Sequence, residues 1–240
     1  MGCHLDGMSI GVLDSLRRAG PTILPSMLMC NFGNLEREVA LLEEAGVHGF
    51  HLDVMDGVFV PNFTYGMTIV AAFRKITRLP LDVHLMIQNP LKYVDDFANA
   101  GADVITFHAE AVDDPEPVIQ RIHANRLPAG IAINSKTPVS RIERVLPKCQ
   151  LALVMSIEAG FGGQKFEEGV LPKFTEIRQL VGDQIVLEID GGINAATIAR
   201  SVDAGAELLV VGSAIFKRDD YGRALLDLQA EIPKSKTNVS

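Results

Sequence analysis

The chain has 240 residues, 48% of them hydrophobic, and 22 basic against 30 acidic side chains give a formal net charge of −8. This length suits one α/β barrel of about 250 residues, and the apolar content excludes disorder over most of the chain. An acidic balance without a basic tract argues against a partner such as nucleic acid or an anionic membrane. The three cysteines, Cys3, Cys30 and Cys149, form no CxxC motif and no even disulfide set, which predicts a reducing, cytoplasmic compartment.

The ends of the chain differ from its middle. Residues 1–20 are predicted to form an N-terminal extension, 21–232 the barrel domain and 233–240 a polar C-terminal tail. The longest apolar run, at 208–211 and the five residues after it, is about half the length of a membrane-spanning helix. An amphipathic helix in the extension is predicted from the spacing of Ile10, Leu13, Leu16 and Arg17, and an appended segment without structural role is the alternative.

From Pro21 onward, short β-rich runs alternate with longer segments of helical period. Strands are predicted at 23–28, 49–54, 81–86, 104–108, 129–133, 151–155, 185–190 and 208–211. Helices are predicted at 34–45, 67–76, 91–100, 115–125, 138–145, 168–181, 195–204 and 220–231. Left-handed glycines are expected to end three helices, at Gly46, Gly101 and Gly205. Eight units without a linker favour a single-domain (β/α)8 TIM barrel, with an open doubly wound sheet as the alternative.

Polar side chains share faces with one another at three predicted strand ends, where a barrel places its chemistry. One face of the second strand carries His51, Asp53 and Met55, one face of the third carries Asp82, His84 and Met86, and Glu188 and Asp190 share a face in the seventh. Either histidine alone would be interpreted as an ordinary core residue. The repeat in neighbouring strands instead predicts that two imidazoles and two carboxylates bind one divalent cation, which Zn²⁺, Fe²⁺, Mn²⁺ or Co²⁺ would suit.

Glycine-rich segments follow the last three strands. They are 156–164, 190–194 and 212–216. Glycine lets backbone amides approach an anion closely, and the late loops of such barrels commonly bind phosphate. Turn formation explains any one segment, whereas three in succession predict a phosphate site. The sequence has no GxGxxG motif or P-loop, so neither a dinucleotide nor a nucleoside triphosphate is predicted.

Methionines stand in phase with these inward residues at three strand ends, at Met55, Met86 and Met155. Gap-filling in the core is their usual role. The sharper hypothesis is an apolar lining that keeps water from a reactive intermediate.

Six segments of the chain, in order over residues 21–216, resemble ribulose-phosphate 3-epimerases. The segments are Pro25-Ser26-Met27-Leu28, His51-Leu52-Asp53-Val54-Met55-Asp56-Gly57, Leu81-Asp82-Val83-His84-Leu85-Met86, Gly160-Phe161-Gly162-Gly163-Gln164, Asp190-Gly191-Gly192 and Gly212-Ser213. The resemblance implies a metal-dependent barrel that interconverts D-ribulose 5-phosphate and D-xylulose 5-phosphate, a small sugar phosphate partner, and a homo-oligomer. Asn31 and Ala159 depart from the family's usual residues, which puts an acid's role at position 31 in doubt and predicts a looser sixth loop.

The resemblance also implies roles for individual residues. The metal ligands would be His51, Asp53, His84 and Asp190, and Asp53 and Asp190 would also be the two acid–base groups. The substrate would be bound by Ser26, His84, Gly160, Phe161, Gly162, Gly163, Asp190, Gly191, Gly192, Gly212 and Ser213. Inverting a carbon next to a ketone requires proton transfer on both faces, so two acid–base groups agree with this chemistry.

Three other functions are alternatives to ribulose-phosphate epimerisation. An epimerase of a six-carbon ketose phosphate, such as D-allulose 6-phosphate, would use the same residues. A lyase or decarboxylase of the related barrels would need a lysine at a strand end, and Lys136 and Lys165 lie in predicted loops. A non-catalytic binding barrel would bind no metal.

Overall fold

The computed structural model describes residues 10–18, 20–160 and 165–233. Its eight strands are β1 (Thr22–Pro25), β2 (Phe50–Met55), β3 (Leu81–Met86), β4 (Val104–His108), β5 (Ala129–Ile133), β6 (Leu151–Met155), β7 (Val186–Asp190) and β8 (Leu208–Val211). The helices are α1 (Ile10–Arg18), α2 (Leu35–Glu44), α3 (Met67–Ile76), α4 (Val94–Ala100), α5 (Glu116–Ala124), α6 (Pro172–Val181), α7 (Ile198–Ala204), α8 (Ser213–Phe216) and α9 (Tyr221–Ala230).

All strand pairings in the eight-stranded sheet are parallel, in the order β1-β8-β7-β6-β5-β4-β3-β2. The two end strands meet through a single bridge between Ser26 and His51, which brings the sheet to near closure. Strands β2 to β6 are buried along their whole length, as expected when side chains fill the barrel and helices cover its outside. The predicted single-domain (β/α)8 barrel is confirmed.

The predicted strands β3, β4, β5, β6 and β8 have the observed bounds. The helices predicted at 91–100, 168–181 and 195–204 begin three or four residues later, at Val94, Pro172 and Ile198. Two further predicted elements are wrong in extent or kind. The first strand stops at Pro25 rather than residue 28, because the chain turns into a short 3-10 helix at Met27–Met29. Residues 138–145 form no α-helix. They make 3-10 turns such as Ile142 N–H to Val139 O at 2.9 Å, in a short segment that ends before Pro147, which lacks an N–H.

Helix stops follow the glycine prediction. Gly101 and Gly205 end α4 and α7 with φ of 105° and 112°, in the left-handed region that glycine adopts without strain. Gly46, just beyond α2, has φ of 83°.

Helix α1 packs beneath the barrel, at the amino ends of the strands. Leu13 and Leu16 are buried there against residues such as Leu24, Leu151 and Leu208. The hydroxyl of Thr22 donates to the carbonyl of Leu16 at 2.7 Å. Burial of one face confirms the predicted amphipathic helix, while the boundaries 1–20, 21–232 and 233–240 stay predictions.

Two of the cysteines can be located. Cys30 and Cys149 are free thiols and both are buried, whereas Cys3 lies outside the described residues. Across the described ranges, none of the helices is both long and apolar enough for a membrane span.

Candidate metal and active site

A cavity of about 260 Å³ lies at the carboxyl ends of the strands. Most of the predicted site residues line it: Ser26, Asp53, Met55, Met86, Met155, Gly160, Asp190, Gly191, Gly192, Gly212 and Ser213. His51 and His84 are fully buried beside Asp53. Three other residues that were predicted to bind substrate, Phe161, Gly162 and Gly163, lie outside the described residues.

The four predicted metal ligands converge. One potential ligand atom from each of His51, Asp53, His84 and Asp190 lies within 4.8 Å of the other three. The Nε2 of His51 is 3.3 Å from Asp53 Oδ1 and 3.4 Å from His84 Nδ1, and Asp53 Oδ1 is 3.1 Å from that same Nδ1. Ligands bound tetrahedrally at 2.0–2.1 Å are about 3.3 Å apart, so this donor set fits a divalent ion such as Zn²⁺.

A second layer of carboxyl groups lies behind His51. Asp82 Oδ2 is 2.6 Å from His51 Nδ1, and Glu188 Oε1 is 3.4 Å from the same nitrogen. Glu188 is completely buried, and neither of its oxygens has a hydrogen-bond partner among the described residues. With Asp82 accepting at Nδ1, the Nε2 of His51 is turned toward the ligand cluster, which is the usual orientation of a metal-binding histidine.

Burial and neighbouring charges shift the pKa values of the cluster in opposite directions. Burial opposes the charge on Asp53, but His51 and His84 hold the pKa of Asp53 well below its usual range. Burial also opposes the charge on His51, yet Asp53 and Asp82 raise its pKa well above the ordinary value. Burial and then the charge of Asp53 raise the pKa of Asp190 to about 7. The cluster therefore favours positive charge between its carboxylates, as a proton or as a cation.

Burial also affects the second histidine and the second layer. It lowers the pKa of His84 to about 4, against the opposing effect of the neighbouring Asp53 carboxylate. Burial and then the charge of Asp82 raise the pKa of Glu188 to about 8. A neutral His84 has a nitrogen lone pair available for a metal.

Hydrogen bonds fix the strand ends that carry the two aspartates. Ser26 donates to Asp53 Oδ2 at 2.6 Å. Thr64 donates to the backbone carbonyl of Asp53 at 2.8 Å and accepts from the Met55 amide at 2.9 Å. Ser156, which is fully buried, donates to the carbonyls of Asp190 and Gly191. The site is thereby preorganised by residues that directly follow β1 and β6 and by the loop after β2.

The glycines of the late loops are required by the backbone. Gly191 and Gly192 have φ of 112° and 64°. A Cβ on Gly191 would lie 2.5 Å from Ile157 Cγ1, and one on Gly192 would lie 3.1 Å from the backbone nitrogen of Phe166. This loop therefore needs glycine both for its conformation and for its close contact with the loop after β6.

Lys217 is a lining residue that the sequence patterns did not identify. It follows α8, its amide donates to the Ser213 carbonyl at 3.2 Å, and its exposed side chain lines the cavity beside Gly212. Among the described lining residues it is the one basic side chain. It was missed because it lies outside any motif, four residues after Ser213.

The two departures from the resemblance have local structural consequences. Asn31 is exposed, and its side-chain oxygen accepts from the Gly33 amide at 3.0 Å at the start of a 3-10 turn. An aspartate could accept the same bond, so asparagine preserves the turn. At the start of the sixth loop, Gly160 O accepts from Asn62 Nδ2 at 2.7 Å and the Ala159 amide donates to Asn134 Oδ1 at 3.4 Å.

The fold and the site together define a (β/α)8-barrel protein with a buried histidine–aspartate cluster suited to a divalent metal. Solved structures with the same fold include 3-hexulose-6-phosphate synthase, with a TM-score of 0.67, 18% identity and coverage of 88% of this chain and 100% of that chain. Orotidine 5'-phosphate decarboxylase from Pyrococcus horikoshii OT3 has a TM-score of 0.63 at 14% identity, covering 88% of this chain and 97% of that chain. At such identities the likeness concerns the fold alone.

Sequence comparison identifies the family. The profile of the ribulose-phosphate 3-epimerase family matches residues 22–216. The ribulose-phosphate 3-epimerase of Bacillus subtilis is 43% identical over 211 residues, which cover 86% of this chain and 97% of that protein. The chloroplastic ribulose-5-phosphate-3-epimerase of Arabidopsis thaliana is 40% identical over 223 residues, 91% of this chain and 79% of that protein. The chain belongs to the ribulose-phosphate 3-epimerase family.

Proposed function

We propose that this protein is a metal-dependent epimerase that interconverts D-ribulose 5-phosphate and D-xylulose 5-phosphate. The observation that carries the proposal is the pair of carboxylates, Asp53 from β2 and Asp190 from β7, that line one cavity beside two buried imidazoles. Because β2 and β7 lie on different sides of the barrel, a sugar between the two carboxylates would expose one face to each of them.

The two aspartates would invert C3 of the substrate by two proton transfers. One carboxylate removes the C3 proton, and the electron pair of that C–H bond moves toward the C2 carbonyl to give a 2,3-enediolate. The other carboxyl group delivers a proton to C3 from the opposite face. In the reverse reaction the two groups exchange roles, so each must work as both acid and base.

The ligands proposed for one divalent metal are His51, Asp53, His84 and Asp190. When bound, such an ion would offset the negative charge that develops on the substrate oxygens. His51 and His84 hold the cluster together, Asp82 orients His51, and Ser26 orients Asp53. Zn²⁺, Fe²⁺, Mn²⁺ and Co²⁺ all suit two imidazoles and two carboxylates.

The remaining lining residues suit the rest of a sugar phosphate. We assign the phosphate to Gly191, Gly192, Gly212 and Ser213, with Lys217 supplying a positive charge at that end of the cavity. Gly160 lines the cavity from the sixth loop, and the family resemblance adds Phe161, Gly162 and Gly163, which lie outside the described residues, as substrate-binding residues. Met55, Met86 and Met155 are all buried and would keep water from the enediolate.

The net charge of −8 is compatible with this anionic substrate. Backbone amides, one lysine and a bound dication would provide the local positive potential that the whole chain lacks. The overall charge excludes only a polyanionic partner bound by many surface lysines and arginines.

Two broader properties accompany the proposal. A reducing, cytoplasmic location is supported by the buried, unpaired thiols of Cys30 and Cys149. A homo-oligomer is supported by large apolar side chains that remain exposed near the carboxyl ends of β2 and β3, namely Val58, Phe63 and Leu91.

The rival functions have less support. The similar proteins are named for ribulose phosphate, which does not favour a hexulose phosphate as substrate. A lysine-dependent lyase is not favoured either, because Lys217 stands beyond α8 rather than at the end of a strand.

The experiment is turnover of ribulose 5-phosphate in D₂O by the wild type, Asp53→Asn and Asp190→Asn. Wild type is expected to incorporate solvent deuterium at C3 of its product, and each variant to lose epimerisation by about a thousandfold or more. The matched control is Asp183→Asn, since the Asp183 side chain is 93% exposed. Near-wild-type turnover by either site variant, with metal still bound, would contradict the two-base scheme.

A further inference from the structure

A line of side chains in contact through polar atoms leads away from the cavity behind His84. The Nε2 of His84 lies 2.9 Å from Nε2 of His108, and Nδ1 of His108 lies 3.2 Å from Oε2 of Glu110. Both imidazoles are fully buried. The ring of Phe59 packs on His108 with 4.9 Å between the ring centroids. His108 is the last residue of β4 and Glu110 lies in the turn after it, and neither takes part in the proton transfers described above.

Glu110 is fixed by donors on its other oxygen. Its Oε1 accepts from the Asn134 amide at 2.8 Å and from the hydroxyl of Thr137. A carboxylate can only accept hydrogen bonds, so the contact at Oε2 requires a hydrogen on Nδ1 of His108. The position of one proton in this line is therefore set by Glu110.

The orientation of the next hydrogen bond follows from the first. A neutral imidazole with its hydrogen on Nδ1 has a lone pair on Nε2. At 2.9 Å the two Nε2 atoms must share one hydrogen, which His84 must then donate to His108. The remaining nitrogen of His84, Nδ1, keeps its lone pair and lies 3.1 Å from Asp53 Oδ1 and 3.4 Å from His51 Nε2.

The close approach of His84 to Asp53 suits a cation bound by both side chains. A lone pair of His84 and a carboxylate oxygen of Asp53 at 3.1 Å repel each other unless a positive charge lies between them. The same nitrogen would be blocked for a metal if it carried a hydrogen.

We propose that Glu110 and His108 are positioning residues that hold His84 in the tautomer whose Nδ1 binds the catalytic metal. The inference rests on the metal site of the proposed function. Glu110 acts through two hydrogen bonds, in the way that a carboxylate orients a metal-binding histidine directly at other sites. Asp82 orients His51 directly through a hydrogen bond, so the two ligand histidines are oriented in different ways.

Glu110→Gln reverses the hydrogen-bond direction with almost no change of shape. The amide oxygen would keep the bonds from Asn134 and Thr137, which leaves the amide NH₂ facing His108. A donor there favours the tautomer of His108 with its hydrogen on Nε2. That hydrogen points at His84 and favours a hydrogen on the metal-binding Nδ1.

The test is Co²⁺ binding to the metal-free full-length protein, followed by visible absorption. Glu110→Gln is expected to raise the Kd for Co²⁺ about tenfold or more, the range found for residues that orient metal ligands. The matched control is Glu207→Gln, because Glu207 also makes partly buried hydrogen bonds, to Arg178 and the Leu187 amide, at the far end of the barrel. Equal Kd values for the two variants would overturn the proposal, whereas a wild type that binds neither Co²⁺ nor Zn²⁺ would refute the metal site itself.

A second measurement requires no variant. In the Zn²⁺-loaded wild type labelled with ¹⁵N-histidine, long-range ¹H–¹⁵N correlation spectra report which nitrogen of each ring carries hydrogen. The expected result is hydrogen on Nε2 of His84 and on Nδ1 of His108. Hydrogen on Nε2 of His108 would overturn the proposal even if Glu110→Gln fails to fold.

Discussion

The hydroxyl of Ser26 donates a 2.6 Å hydrogen bond to Oδ2 of Asp53, across the place where the barrel is closed by one bridge instead of a ladder. Ser26 directly follows β1, and Asp53 lies within β2. The other carboxylate oxygen of Asp53, Oδ1, faces the two histidines. One carboxylate is thus shared between the closure of the barrel and the proposed metal cluster.

Ser26→Ala is expected to lower kcat about tenfold or more, because a hydrogen bond to a charged group contributes roughly 1.5–3 kcal/mol and orients Asp53. The metal affinity should change little, since Oδ1 keeps its neighbours. Steady-state kinetics and metal titration check both parts. Ser135→Ala is the control, because the buried Ser135 hydroxyl has no partner among the described residues. An unchanged kcat in Ser26→Ala would show that Ser26 does not orient Asp53 for catalysis.

Helix α1 is expected to stabilise the barrel without a part in catalysis. Leu16 is 1% exposed, and Leu16→Ala should lower the free energy of unfolding by about 2–5 kcal/mol through lost burial and a residual void. Leu226→Ala, at a side chain that is 59% exposed, should change it by about 0.5 kcal/mol or less. Urea unfolding measures both variants. Equal stabilities would show that α1 does not pack as described, and kcat should be unchanged in each.

Lys217 is expected to attract the phosphate end of the substrate. Lys217→Gln should raise KM for ribulose 5-phosphate about fivefold at low salt with little change in kcat, and the effect should shrink as salt screens the charge. The inhibition constant of inorganic phosphate should rise in parallel. The control is Arg218→Gln, since Arg218 pairs with Asp227 at 3.2 Å and does not line the cavity. If both variants behave alike, only the overall charge matters.

The Glu110 carboxylate gives the fold a pH dependence. Burial opposes its charge, but His108, Thr137 and the Asn134 amide lower its pKa from 4.5 to about 2. Because the pKa in the folded state is the lower one, the carboxylate stabilises the fold above about pH 4.5, and this contribution disappears as the pH falls toward 2. Glu110→Gln should therefore be less stable than wild type by roughly 1–3 kcal/mol near neutral pH. The difference, measured by urea unfolding, should narrow below about pH 4, and a constant difference would contradict the origin given for it.

The sequence patterns predicted helices and strands correctly where a single hydrophobic period, helical or strand-like, runs through the whole segment. Strand β3 and helix α3 have the predicted bounds, since each is a regular apolar pattern with clear ends. The segment at 138–145 has a helical pattern too, but the prolines around it and the short distance to β6 leave room only for 3-10 turns. The local sequence pattern therefore predicted the correct type of secondary structure only where the surrounding fold leaves room for that element.

The same limit applies to the site. Alternation in β2 and β3 predicted that His51, Asp53 and His84 share an interior, and the register pairs Asp53 directly with His84. No sequence pattern identified His108 and Glu110, because their contact with His84 depends on the positions of β3 and β4 in space. Lys217 was missed because a short helix, rather than a motif, brings it to the cavity.

The cluster around Asp53 and Asp190 is proposed to be a metal-dependent epimerisation site. The most direct test is a coupled assay with D-ribulose 5-phosphate before and after chelation, and after addition of Fe²⁺, Mn²⁺, Co²⁺ or Zn²⁺ to the stripped enzyme. We expect D-xylulose 5-phosphate to form, and we expect this activity to be lost on chelation and restored by at least one of these ions. Full activity in protein shown by elemental analysis to contain no metal would contradict it.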